Sequence, residues 1–373
     1  MSFVWWALGG AVGLYILWTL YLAVVLRWED EQTVGLGYYG LDQAGRDRFK
    51  RRLRVHALLL APLLAVNSRL AKVDFRRVRV VHKGMSFPAG SCDAASTARA
   101  DSYVPRAQDV FVVTQMKCGT TWMEHIVYEV LHRGHGNLVE TGTALYSIAP
   151  WLEGRKSVPV ERAPVLGAER PSRIIKTHLP AQLCPISAEA RYIYVARHPV
   201  SCFASCVDFI ATNVGGMAPG MPAYEEWFRS PDLMWWGTWP AHVSGWWARS
   251  RRDHNVLFVR FEEMKRDLPG MVRRVAEFLG VAPLGEGELA RIVEKCGFDY
   301  MQKHQGNFEM HPPHILQTNA ELFVRGTAER HNDVPDDTRR RLLGWAAHEM
   351  ATSEFPLAQA YPDVAAASRL DAG

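Results

Sequence analysis

Lys117, with Gly119, Thr120 and Thr121 just behind it, has the composition of an anion-binding turn. The run Thr114-Gln115-Met116-Lys117-Cys118-Gly119-Thr120-Thr121-Trp122 follows a β-branched apolar stretch, Val110-Phe111-Val112-Val113, and opens an apolar-periodic helix from Met123 to Leu131. A buried strand, a tight glycine turn and a helix N-terminus leave backbone N–H groups pointing outward, where the helix dipole favours negative charge. Lys117 adds a full positive charge and the two threonines add hydroxyl donors. A phosphate-type ligand fits this chemistry; an ordinary strand-turn-helix with a surface lysine fits the same letters. The nucleoside-triphosphatase loop does not fit. It needs Gly, four residues, then Gly-Lys-Ser/Thr, whereas here lysine precedes the glycine.

Two more stretches carry chemistry. Arg173-Ile174-Ile175-Lys176-Thr177-His178-Leu179-Pro180 reads as an apolar strand ending in a lysine and a histidine before a proline breaks it. The carboxyl end of a parallel strand faces the ligand crevice in open α/β sheets. Lys176 and His178 are therefore candidate catalytic groups, although a lone histidine also serves as a hydrogen-bonded structural residue. Tyr192-Ile193-Tyr194-Val195-Ala196-Arg197-His198-Pro199 reads as strand, turn and helix start, with Ser205 eight residues beyond Arg197. The planar guanidinium fork suits phosphate; a structural ion pair is the plainer role.

In this order the three motifs resemble the sulfotransferases that use 3′-phosphoadenosine 5′-phosphosulfate (PAPS) as donor. The resemblance covers roughly residues 80 to 330 and is most specific at these motifs. It implies that Lys117, Cys118, Gly119, Thr120 and Thr121 surround the 5′-phosphosulfate, and that Trp122 stacks on adenine. It implies His178 as general base, with Lys117 and Lys176 stabilising charge on the bridging and sulfuryl oxygens, and Arg197 and Ser205 on the 3′-phosphate. Trp236-Gly237-Thr238-Trp239 resembles the start of the family's helix before its next strand, Asn255 to Phe261, with Phe261 at the exit. Cys296 lies in Glu294-Lys295-Cys296-Gly297-Phe298, where the family usually has a Thr-Ser-Phe on the adenine side.

The departures from the family pattern are specific. Phe323-Val324-Arg325-Gly326 keeps only a basic residue and the glycine of the family's Arg-Lys-Gly closure, and Thr327 to His331 replaces the Gly-Asp-Trp-Lys that follows. A lost 3′-phosphate contact then falls to Arg325 or Arg330. The family's Lys-Thr-Val-Glu dimerisation motif is not visible. Cys118 stands where serine is usual, a mild change if that position acts through its backbone N–H.

These elements predict an α/β fold: a P-loop-like, mostly parallel sheet flanked by helices and preceded by one transmembrane helix. Strands are expected near 110–114, 173–177, 191–196 and 255–261. The expected organisation is an anchor at 1–28, a basic amphipathic linker at 29–80, a catalytic domain at 81–350 and a flexible tail at 351–373. A chain of 373 residues accommodates a large domain with additions. A net charge of +4 does not suggest nucleic-acid binding. Six cysteines without a Cys-x-x-Cys favour free thiols in a reducing compartment. His311-Pro-Pro-His314 is stiff and weak as a metal site, so no metal is expected. The tryptophans of 235–247 read as core.

Phe3 to Leu26 carries no charge. About 24 residues at 1.5 Å rise reach roughly 36 Å, enough to span a bilayer with some tilt. Trp5, Trp6 and Trp28 flank it as an aromatic belt does. No basic n-region or small-residue cleavage site marks a signal peptide. Gly9 and Gly13 form the Gly-x-x-x-Gly pair that brings two helices into a homodimer, although two glycines of any apolar helix satisfy the pattern. A second apolar run, Val55 to Val66, holds Pro62 and is flanked by Arg46, Arg48, Lys50, Arg51, Arg52 and Arg54 before it and Arg69 and Lys72 after it. It reads as a short segment at an anionic membrane surface, or as a helix packed on the catalytic domain. The basic residues all follow the first span, which places the catalytic domain in the cytoplasm; a lumenal, Golgi-type orientation is the alternative.

The expected function is transfer of a sulfuryl group from PAPS to a hydroxyl of a lipophilic, membrane-dissolved acceptor, releasing 3′-phosphoadenosine 5′-phosphate (PAP). Two other readings stand beside it: an inactive, membrane-tethered nucleotide-binding protein, and a nucleotide-dependent phosphotransferase.

Overall fold

A computed structural model describes residues 2–35, 37–317 and 333–367. Two long helices come first, α1 (Ser2–Thr33) and α2 (Gln43–Leu70). An antiparallel hairpin follows, β1 (Arg79–His82) and β2 (Met85–Pro88). Next come α3 (Ala94–Ser102), β3 (Asp109–Thr114), α4 (Thr120–Leu131) and the short α5 (Leu145–Ile148). Then follow β4 (Arg173–Thr177), β5 (Arg191–Ala196), α6 (Pro199–Val214) and β6 (Val256–Arg260).

The main sheet has the order β4-β3-β5-β6, and every neighbouring pair is parallel. Its strands read as continuous apolar runs because both faces are covered. On one face Phe111, Val113, Ile175, Tyr192 and Tyr194 join Trp227, Trp239 and Trp246. On the other, Val110, Val112, Ile174, Ile193 and Val195 pack against Met123, Ile126 and Val127 of α4. The chain leaves β3 to one side for β4 and returns across it to β5. Such a reversal opens a crevice at the carboxyl ends of the strands, where all three sequence motifs converge.

Helices α1 and α2 form an antiparallel pair. Tyr15 Oη donates to Asn67 Oδ1 at 2.9 Å, Tyr21 Oη lies 2.7 Å from His56 Nδ1, and the Trp28 and Phe49 rings stack at 5.2 Å. Every side chain of α1 from Val4 to Leu17 is exposed. Farther along, Trp18, Tyr21, Leu22, Val25 and Trp28 join a third apolar cluster with Leu53, Leu60 and Leu63 of α2 and with Tyr39, Tyr146 and Ile315.

Four expectations change. The strand expected at 255–261 is Val256–Arg260, and Phe261 instead begins a helix, Phe261–Arg266. The run Val55 to Val66 is not a separate short segment but the middle of α2, which continues through Pro62. Arg46 does not belong to the exposed basic flank. It is buried and donates to the carbonyls of Leu41 and Gly142. The stretch read as a loose tail folds through residue 367, with Phe355, Tyr361 and Val364 buried and His198 Nε2 3.0 Å from Asp363. Composition missed this because the anchoring apolar residues are few and widely spaced.

Candidate active site

The loop between β3 and α4 has the backbone geometry of an anion cradle. Lys117 and Gly119 both lie in the left-handed region, at φ 64° and 102°, and Gly119 is the N-cap of α4 without a side-chain cap. The first N–H groups of the helix are thus not taken by a capping side chain, as an anion site requires. A Cβ on Gly119 would lie 2.7 Å from the Phe261 ring, so glycine is dictated by space as well as by φ. Cys118 Sγ turns into the core, 3.6 Å from Cys202 Sγ. Burial pushes its thiol pKa up, so only its backbone is available to a ligand. Thr120 Oγ1 lies 2.6 Å from Thr114 Oγ1, and Thr121 Oγ1 lies 3.3 Å from the Tyr146 hydroxyl.

His178 follows the last residue of β4 and is almost fully buried. Its Nδ1 lies 2.9 Å from the Thr114 carbonyl. A carbonyl only accepts, so Nδ1 carries the proton and Nε2 keeps its lone pair. The backbone is fixed from behind: Glu153 accepts from His178 N and from Thr177 Oγ1, both at 2.8 Å. His242 Nε2 donates to the His178 carbonyl at 2.9 Å, while the Tyr194 hydroxyl lies 2.9 Å from His242 Nδ1. Trp236 and Trp151 flank the imidazole, with ring centroids at 4.8 and 5.4 Å. Burial first, then the positive charge of Lys176, holds the His178 pKa well below the ordinary histidine value. The result is a neutral imidazole in one tautomer, as a general base requires.

The two lysines rest against different aromatic neighbours. Lys176 Nζ lies over the Trp151 and Tyr146 rings at 4.1 and 4.6 Å. Lys117 Nζ lies 4.5 Å from the Phe209 ring centroid and 3.8 Å from Met310 Sδ. Arg197 Nη1 donates to Ser205 Oγ and to the Lys117 carbonyl, both at 2.9 Å. Its guanidinium lies 4.5 Å above the Phe261 ring. Trp122 packs edge-on to Phe261 at 5.5 Å and donates Nε1–H to the Cys296 carbonyl at 2.8 Å. One cleft thus gathers Lys117, Cys118, Gly119, Thr120, Thr121, Trp122, Lys176, His178, Arg197, Ser205, Phe261 and Cys296. Arg325 and Gly326 lie outside the described residues, as does Arg330.

The sequence profile described as "Sulfotransferase domain" matches residues 107–351. This chain belongs to the sulfotransferase family. Sulfotransferase 2B1 of Mus musculus is 34% identical over 254 residues, which cover 65% of this chain and 71% of that protein. Sulfotransferase 1C2 of Homo sapiens is 30% identical over 232 residues, 60% of this chain and 76% of that protein. The fold resembles a mouse sulfotransferase complexed with PAP, with TM-score 0.55 and 24% identity over 74% of this chain and 96% of that one. It also resembles retinol dehydratase in complex with androsterone and PAP, with TM-score 0.59 and 19% identity over 76% and 96% of the two chains. The chain is a PAPS-dependent sulfotransferase, and the other two readings, inactive tether and phosphotransferase, give way. The uncapped helix start, the left-handed loop and the Arg197–Ser205 pair fit a donor with phosphates at both ends.

Several groups of this sulfotransferase's cleft are absent from the motifs. Tyr146 comes from the single helical turn α5, and Trp151 and Glu153 from the irregular segment between α5 and β4, where no periodicity marks them. Glu124 had a local signal, an acid inside the apolar start of α4. Among the described residues, no group of three or more His, Cys, Asp or Glu is placed to hold a metal ion.

Proposed function

We propose that this sulfotransferase acts on the hydroxyl of a lipophilic acceptor presented by a membrane, with His178 as general base. One observation carries the reading. The anchor helices and the reactive groups share a wall: Tyr39 beside α2 packs on Tyr146 at 5.8 Å, and the Lys176 ammonium lies 4.6 Å from the same Tyr146 ring. Two structures of similar fold, both of retinol dehydratase, hold androsterone and retinol, both hydrophobic ring compounds with a hydroxyl.

PAPS, when bound, supplies an activated sulfuryl group on its 5′-phosphate. His178 Nε2 takes the acceptor's hydroxyl proton as its oxygen bonds to sulfur and the bond from sulfur to the phosphate oxygen breaks. Lys117 and Lys176 neutralise charge on the bridging and sulfuryl oxygens. Loop N–H groups, with Thr120 and Thr121, hold the 5′-phosphate, while Arg197 and Ser205 hold the 3′-phosphate. Trp122, Phe261 and the Cys296 backbone form the adenine side.

Helix α1 is long and apolar enough to cross a bilayer. Arg48, Arg51, Arg52 and Arg54 are exposed on α2, which favours a cytoplasmic catalytic domain beside anionic headgroups; a lumenal orientation is the other arrangement. Gly9 and Gly13 have open space around them, as a helix–helix contact between two copies needs. The deciding experiment follows labelled sulfate from PAPS into a total lipid extract, using detergent-purified enzyme. Label in a hydroxylated lipid supports the proposal; an unlabelled extract, from enzyme that sulfates a small soluble phenol supplied in a parallel assay, removes the lipophilic acceptor.

A further inference from the structure

Lys176 is a buried cation that makes no direct ion pair among the described residues. It is 3% exposed and caged by the Trp151 and Tyr146 rings. Ring faces supply some attraction, but an ammonium in such a place tends to lose its proton. Burial indeed lowers its pKa, and the charges that oppose this are Glu124, then Glu153, then Cys92.

These three differ in what else they do. Cys92 is buried and its thiol pKa is pushed up by burial, so it stays neutral. Glu153 is engaged: both its oxygens accept hydrogen bonds that fix Thr177 and His178. Glu124 is wholly buried on α4, and neither of its oxygens has a donor in full hydrogen-bond geometry; the Tyr146 hydroxyl stands near it, outside that geometry. Native structures seldom leave a buried carboxyl without a donor, and such a group calls for an explanation. Glu124 follows Thr120 by four residues and Thr121 by three, so it shares their helix face, the side where Tyr146 meets Thr121 at 3.3 Å. The groups acting on it are Lys176 and the Tyr146 hydroxyl, with Tyr39 close enough to feel its charge.

We infer that Glu124 is the positioning residue that keeps Lys176 charged for sulfuryl transfer. The inference rests on the role given to Lys176 above. Glu124 acts across the Tyr146 side of the cleft, as a counter-charge rather than a hydrogen-bonded strut. Burial raises the Glu124 pKa to about 7 and Lys176 opposes that rise, so each group favours the charged form of the other. His178 faces the same field from Lys176, His242 and Lys117, so its own protonation must be read separately, on the acid side of the profile.

The test is the pH dependence of kcat with PAPS and any turned-over acceptor, for wild type, Glu124→Gln and Glu124→Asp. Glu124→Gln keeps the shape and removes the charge. The alkaline limb is expected to move to lower pH by about one unit, a tenfold drop in ammonium on that limb, with PAP affinity unchanged. Glu124→Asp should restore part of the shift. A second readout needs no turnover: in Lys176→Met, infrared titration should show the protonated Glu124 carboxyl persisting to higher pH than in wild type. An alkaline limb unmoved in Glu124→Gln, with a carboxyl titration unmoved in Lys176→Met, overturns the inference. Failure of the wild-type enzyme to turn over PAPS instead strikes the functional reading on which it rests.

Discussion

Arg197 donates Nη1–H to the carbonyl of Lys117 at 2.9 Å, tying the end of β5 to the left-handed residue of the phosphate loop. The same nitrogen reaches Ser205 Oγ, so the two proposed phosphate-binding halves form one hydrogen-bonded unit. Arg197→Ala should therefore do more than remove a 3′-phosphate contact. It should lose the preference for PAP over ADP, about 2–3 kcal/mol for a charged hydrogen-bonded pair, and also weaken ADP through the released loop. Calorimetry of both nucleotides on both proteins checks this. Undiminished PAP preference in the variant takes Arg197 out of 3′-phosphate recognition.

His178→Ala should lower kcat by about 10²–10⁴-fold, the usual contribution of a general base, while PAP binding stays near wild type. Because burial and Lys176 depress the His178 pKa, the imidazole remains a free base as pH falls through the ordinary histidine value. Wild-type kcat should accordingly hold its plateau through pH 6.5 rather than fall by half there. A half-maximum near the ordinary value contradicts the buried neutral imidazole.

Gly119→Ala meets two obstacles at once, a φ of 102° and a Phe261 ring carbon 2.7 Å from the new Cβ. The strain alone costs about 1–3 kcal/mol. The ring that must move lies under Arg197 and beside Trp122, so PAP affinity should fall together with the melting temperature. A variant that melts lower yet binds PAP normally shows that Phe261 is not part of the donor site.

What was legible in the sequence is what is local. Strands β3, β4 and β5 announce themselves because a parallel strand covered on both faces is a bare apolar run. The loop after β3 is read from Lys117, Gly119 and two threonines in sequence. Tyr146 and Trp151 were not legible, because only tertiary folding brings the single turn α5 and the segment after it over Lys176. The length of α2 was hidden by Pro62, which ordinarily ends or kinks a helix. Leu53, Leu60 and Leu63, buried on both sides of it, hold the helix together where local preference breaks it.

His242 supplies a test of stability. Burial drops its pKa to about 4, below the ordinary value of about 6.5. The unfolded chain therefore takes up this proton first as pH falls. The stabilisation is whole above pH 6.5 and is lost as pH falls through the folded value, amounting to about 3 kcal/mol. His242→Gln keeps a donor for the His178 carbonyl but cannot titrate. Thermal unfolding in detergent should show the variant less stable at neutral pH, with a shallower decline between pH 6.5 and 4. Parallel curves for the two proteins exclude His242 as a source of the acid sensitivity.

The membrane reading is testable on the outer face of α2. Leu58 and Leu59 are exposed at 75% and 54%, whereas Leu60 between α2 and the domain is fully buried. A clean probe must therefore change the first two and spare the third, since truncating Leu60 costs about 2–5 kcal/mol of folding. If the exposed pair rests in lipid, an acceptor dissolved in the same lipid reaches the cleft at raised effective concentration. The double substitution Leu58→Ser, Leu59→Ser should then raise KM for a long-chain or polycyclic alcohol in liposomes. It should leave PAP affinity unchanged, and also KM for a short water-soluble analogue. Assaying both acceptors with both proteins separates the outcomes. Equal rates on the two acceptors, unaffected by the substitutions, would leave α1 and α2 as an address for the enzyme and no part of its acceptor choice.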